Sequence, residues 1–534
     1  MKLVANLAVI ASLFARPISE SKSVDDKYFK KLGDLKLEYR IYPPFPQSDR
    51  HFELAYKIAN ALHINSREWT IERLFPLDKN SPLDSGSINF AERVMRSYPF
   101  WSDAKISFSP DSNSAIVEVH DLWTSKLVAE VHYVADELEW LLALEDENFL
   151  GLGSNISGGY AHYIENDWWQ FGAKIYGFPS KYWDFSGNYN FQEGLWQAGA
   201  SLKKHDAYIE NGNLLFAGAY AESVFVPIYY SQDSADSIVR YRKNAYFEFI
   251  PQWKKMYIGG GIGYLDRKIN PFHDSNLDII SDKSRWIPIV ARLGFTSVGY
   301  KNFVNLDNFV RIEDVPTGFS ASASLGWNLD DISQKGGDKN LFIECEIADA
   351  KIHRFGYSAI STKFISKYGN RDIYLKFRHF APITDTSSFR YGFSIDWFDR
   401  IRSTADRYFI ADGRTGFRGY SAYYEIQHGS AQFLKFSGEL RFFSSYEILT
   451  LRPGAGLFFD IGGVSKNFLL DDSDRIMTDF GISFQICSTR STAGNVNRFD
   501  ISYNPQTKTF GFTIDSGRAF SFYLPMVISS FLKD

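Results

Sequence analysis

The chain of 534 residues is long enough for two or three ordinary domains, or for one large barrel with a smaller companion. Aromatic residues make up 17% of the chain, yet it is hydrophilic on average, which excludes a bundle of membrane-spanning helices. The net charge of -5 gives no sign of the basic surface that a nucleic-acid partner requires. A transmembrane β-barrel fits this balance, because only alternate side chains of its strands meet lipid.

The first residues have the pattern of a secretory signal peptide. Lys2 precedes an apolar run over residues 3–15, and a polar stretch follows it. The run is shorter than the roughly twenty residues that a membrane-spanning helix needs. We therefore predict a signal peptide over residues 1–22, with a buried N-terminal helix as the alternative.

Residues 28–128 are predicted to form a small α/β module with a helix in front of it. The apolar residues of 51–63 recur at helical spacing, and a second helix with the same spacing follows Ser87 and ends at Pro99. Strands are predicted in three segments: 69–77, 103–108 and 115–120. The order after the first helix is strand, helix, strand, strand.

That order resembles a POTRA domain, the periplasmic module of assembly and secretion barrels. The matching segments are NALHINSREWTIERLFPLDKNSPLD, AERVMRSYPFWSDAKISF and AIVEVHDLW. The resemblance implies that the exposed edge of its sheet receives an unfolded protein client by strand addition. An unrelated small α/β domain is the alternative.

From residue 134 to 534, apolar and polar residues alternate in segment after segment. Examples are residues 196–203, 373–378, 499–504 and 510–515. Such alternation predicts strands with one apolar and one polar face. An all-β transmembrane barrel of about sixteen antiparallel strands would fit this length. A soluble, secreted β-rich protein is the alternative.

No pattern in the sequence predicts catalysis. There is no HExxH motif and no GxSxG motif, so we expect no enzyme, no metal site and no cofactor. Cys345 and Cys487 lie far apart and form no CxxC unit, which favours two unpaired strand residues.

Two short motifs stand about forty residues apart. The first is a loop motif, Phe417-Arg418-Gly419-Tyr420, and the second is a strand motif, Phe458-Phe459-Asp460-Ile461-Gly462. Strand alternation directs the side chain of Asp460 into the lumen, together with that of Glu439 on the preceding strand. An arginine on a glycine-flanked loop can reach those carboxylates, and its planar guanidinium can bond both oxygens of one of them.

The two motifs resemble those of the BamA/TamA/two-partner-secretion superfamily of outer-membrane barrels, the bacterial surface antigen family. The resemblance implies that Arg418 pairs with Asp460 in the lumen, with Glu439 as a second acceptor, and that this lock holds the barrel in its working shape. Phe417, Gly419, Tyr420, Phe458 and Gly462 are the remaining motif residues. Barrels of this family usually end on an aromatic residue, whereas this sequence reads FLKD after its predicted closing strand, 510–520.

The function that the resemblance implies is the insertion, assembly or translocation of a protein or lipid client. The barrel would be monomeric in outer-membrane lipid, with its N-terminal domain in the periplasm. The alternative is a passive or substrate-selective porin with an accessory periplasmic domain. We expect no nucleic-acid partner, and the client is not identified by the sequence.

Overall fold

The structure is a computed structural model. It describes residues 31–45, 52–110, 113–134, 137–163, 166–206, 212–231, 234–271, 283–331, 340–367, 370–381, 388–401, 409, 411, 415–420, 431–465, 476–492, 496–516, 518 and 521–524. The predicted signal peptide, residues 1–22, lies outside these ranges.

The first part of the chain forms a small α/β domain, which we call the N-domain (residues 31–123). Its elements are strand β1 (Lys36–Tyr42), helices α1 (Glu53–Leu62), α2 (Glu68–Leu74) and α3 (Ser85–Arg96), and strands β2 (Trp101–Phe108) and β3 (Ser114–Asp121). The sheet order is β1-β3-β2, with β1 parallel and β2 antiparallel to β3.

Helix α3 shows how the sequence builds this domain. The Asp84 carboxylate accepts a hydrogen bond from the Ser87 backbone N–H at 2.6 Å and so caps the helix. Ala91, Val94 and Met95 are then buried on one face against the sheet. The helix stops shortly before Pro99, because a proline disfavours helical backbone at the residue before it.

The structure of the N-domain differs from the sequence-based expectation in two places. Residues 69–77 were expected to form a strand, but 68–74 form α2, because Ile71 and Leu74 bury on one helical face of a short apolar run. Strand β1 was not predicted at all, although Leu37, Tyr39 and Ile41 alternate toward the core.

The rest of the described chain forms one closed antiparallel barrel. Its strands are β4 (Ser125–Val134), β5 (Glu137–Asp146), β6 (Ser154–Tyr163), β7 (Asn166–Tyr176), β8 (Trp183–Gln192), β9 (Leu195–Lys204), β10 (Leu214–Ser231), β11 (Ser234–Ile250), β12 (Gln252–Trp253), β13 (Met256–Pro271), β14 (Lys283–Val304), β15 (Ile312–Asp331), β16 (Leu341–His353), β17 (Gly356–Lys367), β18 (Asn370–Ala381), β19 (Phe389–Ile401), β20 (Gln432–Phe443), β21 (Leu451–Ser465), β22 (Met477–Ser488), β23 (Asn497–Asn504) and β24 (Thr509–Ser516). Strand β24 pairs with β4 and closes the ring.

Over the described residues the barrel has twenty strands besides the two-residue β12, so the prediction of about sixteen strands was wrong. The connections are shorter than that prediction assumed; only two residues separate His353 from Gly356, for example. The wall also begins at Ser125, nine residues before the predicted start at 134. Cys345 and Cys487 are strand residues that form no disulfide bond with each other, the first exposed and the second buried.

Alternation along the strands separates an apolar outside from a polar inside. On β22 the outward Phe480, Ile482 and Phe484 are 52%, 40% and 51% exposed, whereas the inward Asp479 and Ser483 are 1% and 2% exposed. An apolar outer wall around a polar interior is the surface that a lipid bilayer requires of a barrel.

None of the described helices is both long and apolar enough to cross a membrane.

The N-domain is docked on one end of the barrel, which we call the near end; the opposite end is the far end. The backbone oxygens of the β5–β6 turn accept bonds from this domain: Thr70 Oγ1 donates to Gly151 O at 2.8 Å, and Arg73 donates to Leu152 O at 2.6 Å. Tyr98 stacks on His205 with 4.6 Å between ring centroids, and Tyr176 of β7 belongs to the N-domain core. The barrel wall therefore completes the core of the N-domain.

One contact at the edge of this interface is exposed to solvent. Lys181 donates a hydrogen bond to the Asp78 carboxylate at 2.5 Å, and this bond lowers the pKa of Asp78 below its ordinary value. Since the Asp78 side chain is 65% exposed, water screens the pair and its contribution to docking is small.

A more buried ion pair contributes more to docking. Arg96, at the end of α3, bonds both oxygens of Asp314 on β15, at 2.9 and 3.3 Å. We expect Arg96→Ala to weaken docking by about 1.5–3 kcal/mol, the usual value of a charge-assisted hydrogen bond. The measurement is the rate of proteolysis between the two domains. Arg40→Ala is the control, because Arg40 pairs with Glu118 within the N-domain and is half exposed; equal cleavage of both variants would contradict this role of Arg96.

Candidate functional site

The loop between β19 and β20 folds from the far end into the barrel. Of this loop the structure describes Phe409, Ala411, residues 415–420 and Ala431. Phe417, Arg418 and Tyr420 are 0%, 5% and 1% exposed, and all contact the inward face of strands β20 to β23. The loop motif is therefore buried in the lumen.

The structure brings together the three residues proposed for the lock. Arg418 Nε donates to Asp460 Oδ2 at 2.9 Å, and Arg418 Nη1 lies 3.8 Å from Glu439 Oε2. The guanidinium also lies flat over the Phe458 ring, with 3.5 Å from Cζ to the ring centroid. One arginine thus has a carboxylate, a second carboxylate and an aromatic face as partners.

The wall beneath Arg418 carries one more buried carboxyl group than the motif shows. Asp460 on β21 stands directly opposite Asp479 on β22, and both carboxylates are 1% exposed. Like charges in directly opposite positions of a sheet repel each other. Arg418 and Lys435, whose Nζ lies 3.8 Å from Asp460 Oδ1, supply the compensating positive charge.

Two glycines let the loop approach the wall. Gly416 has a φ of +93°, a left-handed conformation that residues with a Cβ rarely adopt. A Cβ on Gly419 would stand 2.6 Å from the Asp479 Cβ, so a larger residue there would push the loop away from β22. In this position the Arg418 carbonyl oxygen accepts a hydrogen bond from Ser502 Oγ at 2.8 Å. The Gly416 carbonyl oxygen accepts one from Lys435 Nζ at 2.7 Å.

The aromatic residues of the motif anchor its two ends. Tyr420 OH accepts a bond from the Thr478 N–H at 3.1 Å and donates one to Gln506 Oε1 at 3.0 Å. Phe417 packs edge-on against Phe433 of β20, with 6.2 Å between ring centroids. The loop is consequently held by strands β20, β22 and the β23–β24 turn as well as by Arg418.

Gly462 of the strand motif is required by close packing of two strands. A Cβ at this position would stand 2.0 Å from the Leu434 backbone oxygen on β20. We expect Gly462→Ala to force the β20–β21 ladder apart and to cost about 1–3 kcal/mol, as overpacking usually does. The measurement is the urea concentration at which the folded barrel is lost. Gly299→Ala is the control, because a Cβ there meets only an atom 3.9 Å away; an equal loss in both variants would contradict the packing explanation.

Sequence reasoning missed three contributors to this site: Lys435, Asp479 and Ser502. Alternation along β20, β22 and β23 placed their side chains on the inward faces, and this was the only signal available. It could not show that they lie at the height of Arg418, because that depends on the register between strands.

The fold and the site together define a class: a closed antiparallel barrel with an apolar outer wall, a lumen with many buried charged side chains, and a loop bound inside it. No family model matches the chain, and no curated protein sequence matches it.

Three solved structures are similar to the chain. BamA from Haemophilus ducreyi lacking POTRA domains 1-3 has 14% identity and a TM-score of 0.35, covering 90% of this chain and 85% of that one. CdiB from Escherichia coli has 12% identity and a TM-score of 0.42, covering 91% and 77%. CdiB from Acinetobacter baumannii has 8% identity and a TM-score of 0.39, covering 97% of both chains. These scores are low, and no family is assigned from them.

Proposed function

We propose that the chain is an outer-membrane barrel that inserts, assembles or exports a protein client. The N-domain is a POTRA-type receiver in the periplasm, and the lumen loop locks the barrel. The observation that carries the proposal is the buried pairing of Arg418 with Asp460 and Glu439. A barrel that changes shape needs a defined resting state, and a lumen loop fixed by buried charges provides one.

The N-domain has an edge suited to a client strand. Among the described residues, β1 pairs only with β3, so its other edge has no strand partner. The opposite edge, β2, is partly covered, because the Ile106 N–H donates to Glu92 of α3 at 3.0 Å. An extended polypeptide can add to an open edge through main-chain hydrogen bonds. The order strand, helices, strand, strand further supports the POTRA assignment.

The junction of β24 with β4, which closes the ring and which we call the seam, is a weak point in the barrel wall. Strands β24 and β4 share four residue pairs, from Gly511–Val134 to Ile514–Val131, against twelve between β20 and β21. Fewer ladder hydrogen bonds make this junction easier to separate than its neighbours. In the proposed function, the client enters the membrane or leaves the barrel through this seam.

Site-specific crosslinking in cells tests the proposal. A photo-crosslinking amino acid at position 40, on β1, should capture an unfolded polypeptide, whereas the same group at position 105, on β2, should capture several-fold less. Both positions are exposed strand residues of one sheet, so they differ mainly in the edge that they report.

The outcome separates the proposal from the alternative porin. Equal yields at the two positions, or no polypeptide at either, would contradict client reception at β1. If in addition the purified barrel conducts ions steadily in planar bilayers, the porin with an accessory domain becomes the better description.

A further inference from the structure

The described residues that follow β24 lie inside the lumen. We call Arg518 and residues 521–524 the post-barrel segment. Phe522 and Leu524 are 0% and 6% exposed, and they pack against the inward faces of strands β14 to β18. In the ring order, β18 is six strands away from β24, so the segment spans the interior instead of following its own strand.

The segment sits in an apolar groove of a lumen that also carries many buried charged side chains. The groove is lined by Phe303, Leu306, Val315, Ala350, Tyr357 and Phe380. Elsewhere the inward positions of the described strands are rich in charged and hydroxyl side chains. An apolar lining exposed to a wet lumen is unfavourable unless something covers it.

The groove makes specific polar and aromatic contacts with Ser521 and Phe522 of the post-barrel segment. Asp307, in the β14–β15 turn, accepts bonds from the Phe522 N–H at 3.2 Å and from the Ser521 hydroxyl. Arg441 lies over the Phe522 ring with 3.6 Å from Cζ to the centroid. A Cβ on Gly392 of β19 would stand 2.6 Å from the Phe522 ring. The ring therefore fills space that is available only because residue 392 has no side chain.

The groove is connected to the lock by an unbroken chain of charged groups. Arg441 donates to Asp307 at 2.7 Å and to Glu439 Oε1 at 3.1 Å, and the other Glu439 oxygen faces Arg418. Whatever occupies the groove therefore contacts the same arginine that positions the second acceptor of the lock.

We propose that this groove is a binding site for an extended polypeptide with an aromatic residue followed two positions later by an aliphatic one. The post-barrel segment occupies it within the same chain and is exchanged for a segment of the client. The described part of the segment forms no strand and adds no ladder bonds to the wall, so it can leave without opening the barrel. The inference rests on the proposed function, because the client is the exchange partner.

The test uses a fluorescent synthetic peptide with the sequence of residues 516–526 and two barrels in detergent. One is the full chain and the other ends at Ser516. We expect the shortened barrel to bind the peptide at least tenfold more tightly than the full chain, whose groove is filled. A peptide with alanine at the positions of Phe522 and Leu524 should not bind, and Gly392→Ala in the shortened barrel should weaken binding of the unaltered peptide.

Each other outcome is decisive. Equal binding of both peptides, or equal binding to both barrels, would overturn the proposal. If the shortened barrel does not fold, the full chain with Phe522→Ala and Leu524→Ala takes its place, and failure of both to fold would show that the segment is permanent core. The proposed function fails separately: peptide binding without any client captured at position 40 would support the groove and reject the receiver.

Discussion

Replacing Arg418 with alanine should give the largest loss of stability of any single substitution in the lock. The variant leaves the Asp460, Asp479 and Glu439 side chains buried and removes the arginine that lies between Asp460 and Glu439. Removing one partner of a buried ion pair typically costs about 3–5 kcal/mol, because the remaining charge stays desolvated. The measurements are the temperature at which the folded barrel band disappears in gel electrophoresis and the urea midpoint. We further expect export to be lost while the N-domain stays folded.

The matched control is Arg378→Ala. Arg378 is also a lumen arginine bonded to a carboxylate, Asp396, at 3.0 Å, but it lies on β18, away from the loop. Arg378→Ala should lower the stability of the barrel by less than Arg418→Ala, because the side chains of Arg378 and Asp396 are more exposed than those of Arg418 and Asp460. Equal losses would mean that the loop contact has no special role, and unchanged export by Arg418→Ala would reject the lock itself.

A double variant separates repulsion from lost contacts. If the cost of Arg418→Ala comes from uncompensated charge, adding Asp460→Asn should restore part of the stability. The coupling between the two positions is then obtained from a double-mutant cycle. No recovery in the double variant would show that loop packing around Phe417 and Tyr420 carries the effect.

Arg441→Ala should have the second largest effect. Its guanidinium is 0% exposed and bonds Glu439, Asp307 and the Leu306 carbonyl, so its loss removes the nearest positive charge from two carboxylates at once. The expected cost is again about 3–5 kcal/mol. Because Arg441 also covers Phe522, the post-barrel segment should become sensitive to added protease, which Arg418→Ala should not produce to the same extent.

The control for this variant is Arg452→Ala. Arg452 pairs with Glu447 at 2.8 Å at the near end, but their side chains are 25% and 31% exposed. Exposed pairs of this kind contribute about 0–1 kcal/mol. A protease-resistant segment in Arg441→Ala would contradict the connection between the groove and the lock.

The sequence by itself determined which side of the wall each residue faces. Strand side chains alternate with a period of two, so the inward direction of Asp460 and Glu439 follows from their neighbours alone. The same local information predicted helices around residues 51–63 and 88–98. It failed for α2, because a short apolar run has no period long enough to distinguish a helix from a strand.

Only the tertiary structure determined how many strands form the barrel and which distant residues are in contact. The number of strands depends on where connections are short, and the meeting of Asp460 with Asp479 depends on the register between two strands. Phe522 of the post-barrel segment packs in one cluster with Val315 and Ala350, which lie more than a hundred residues earlier in the chain. No periodicity records such contacts, because they are fixed by closure of the whole ring and not by neighbours in the chain.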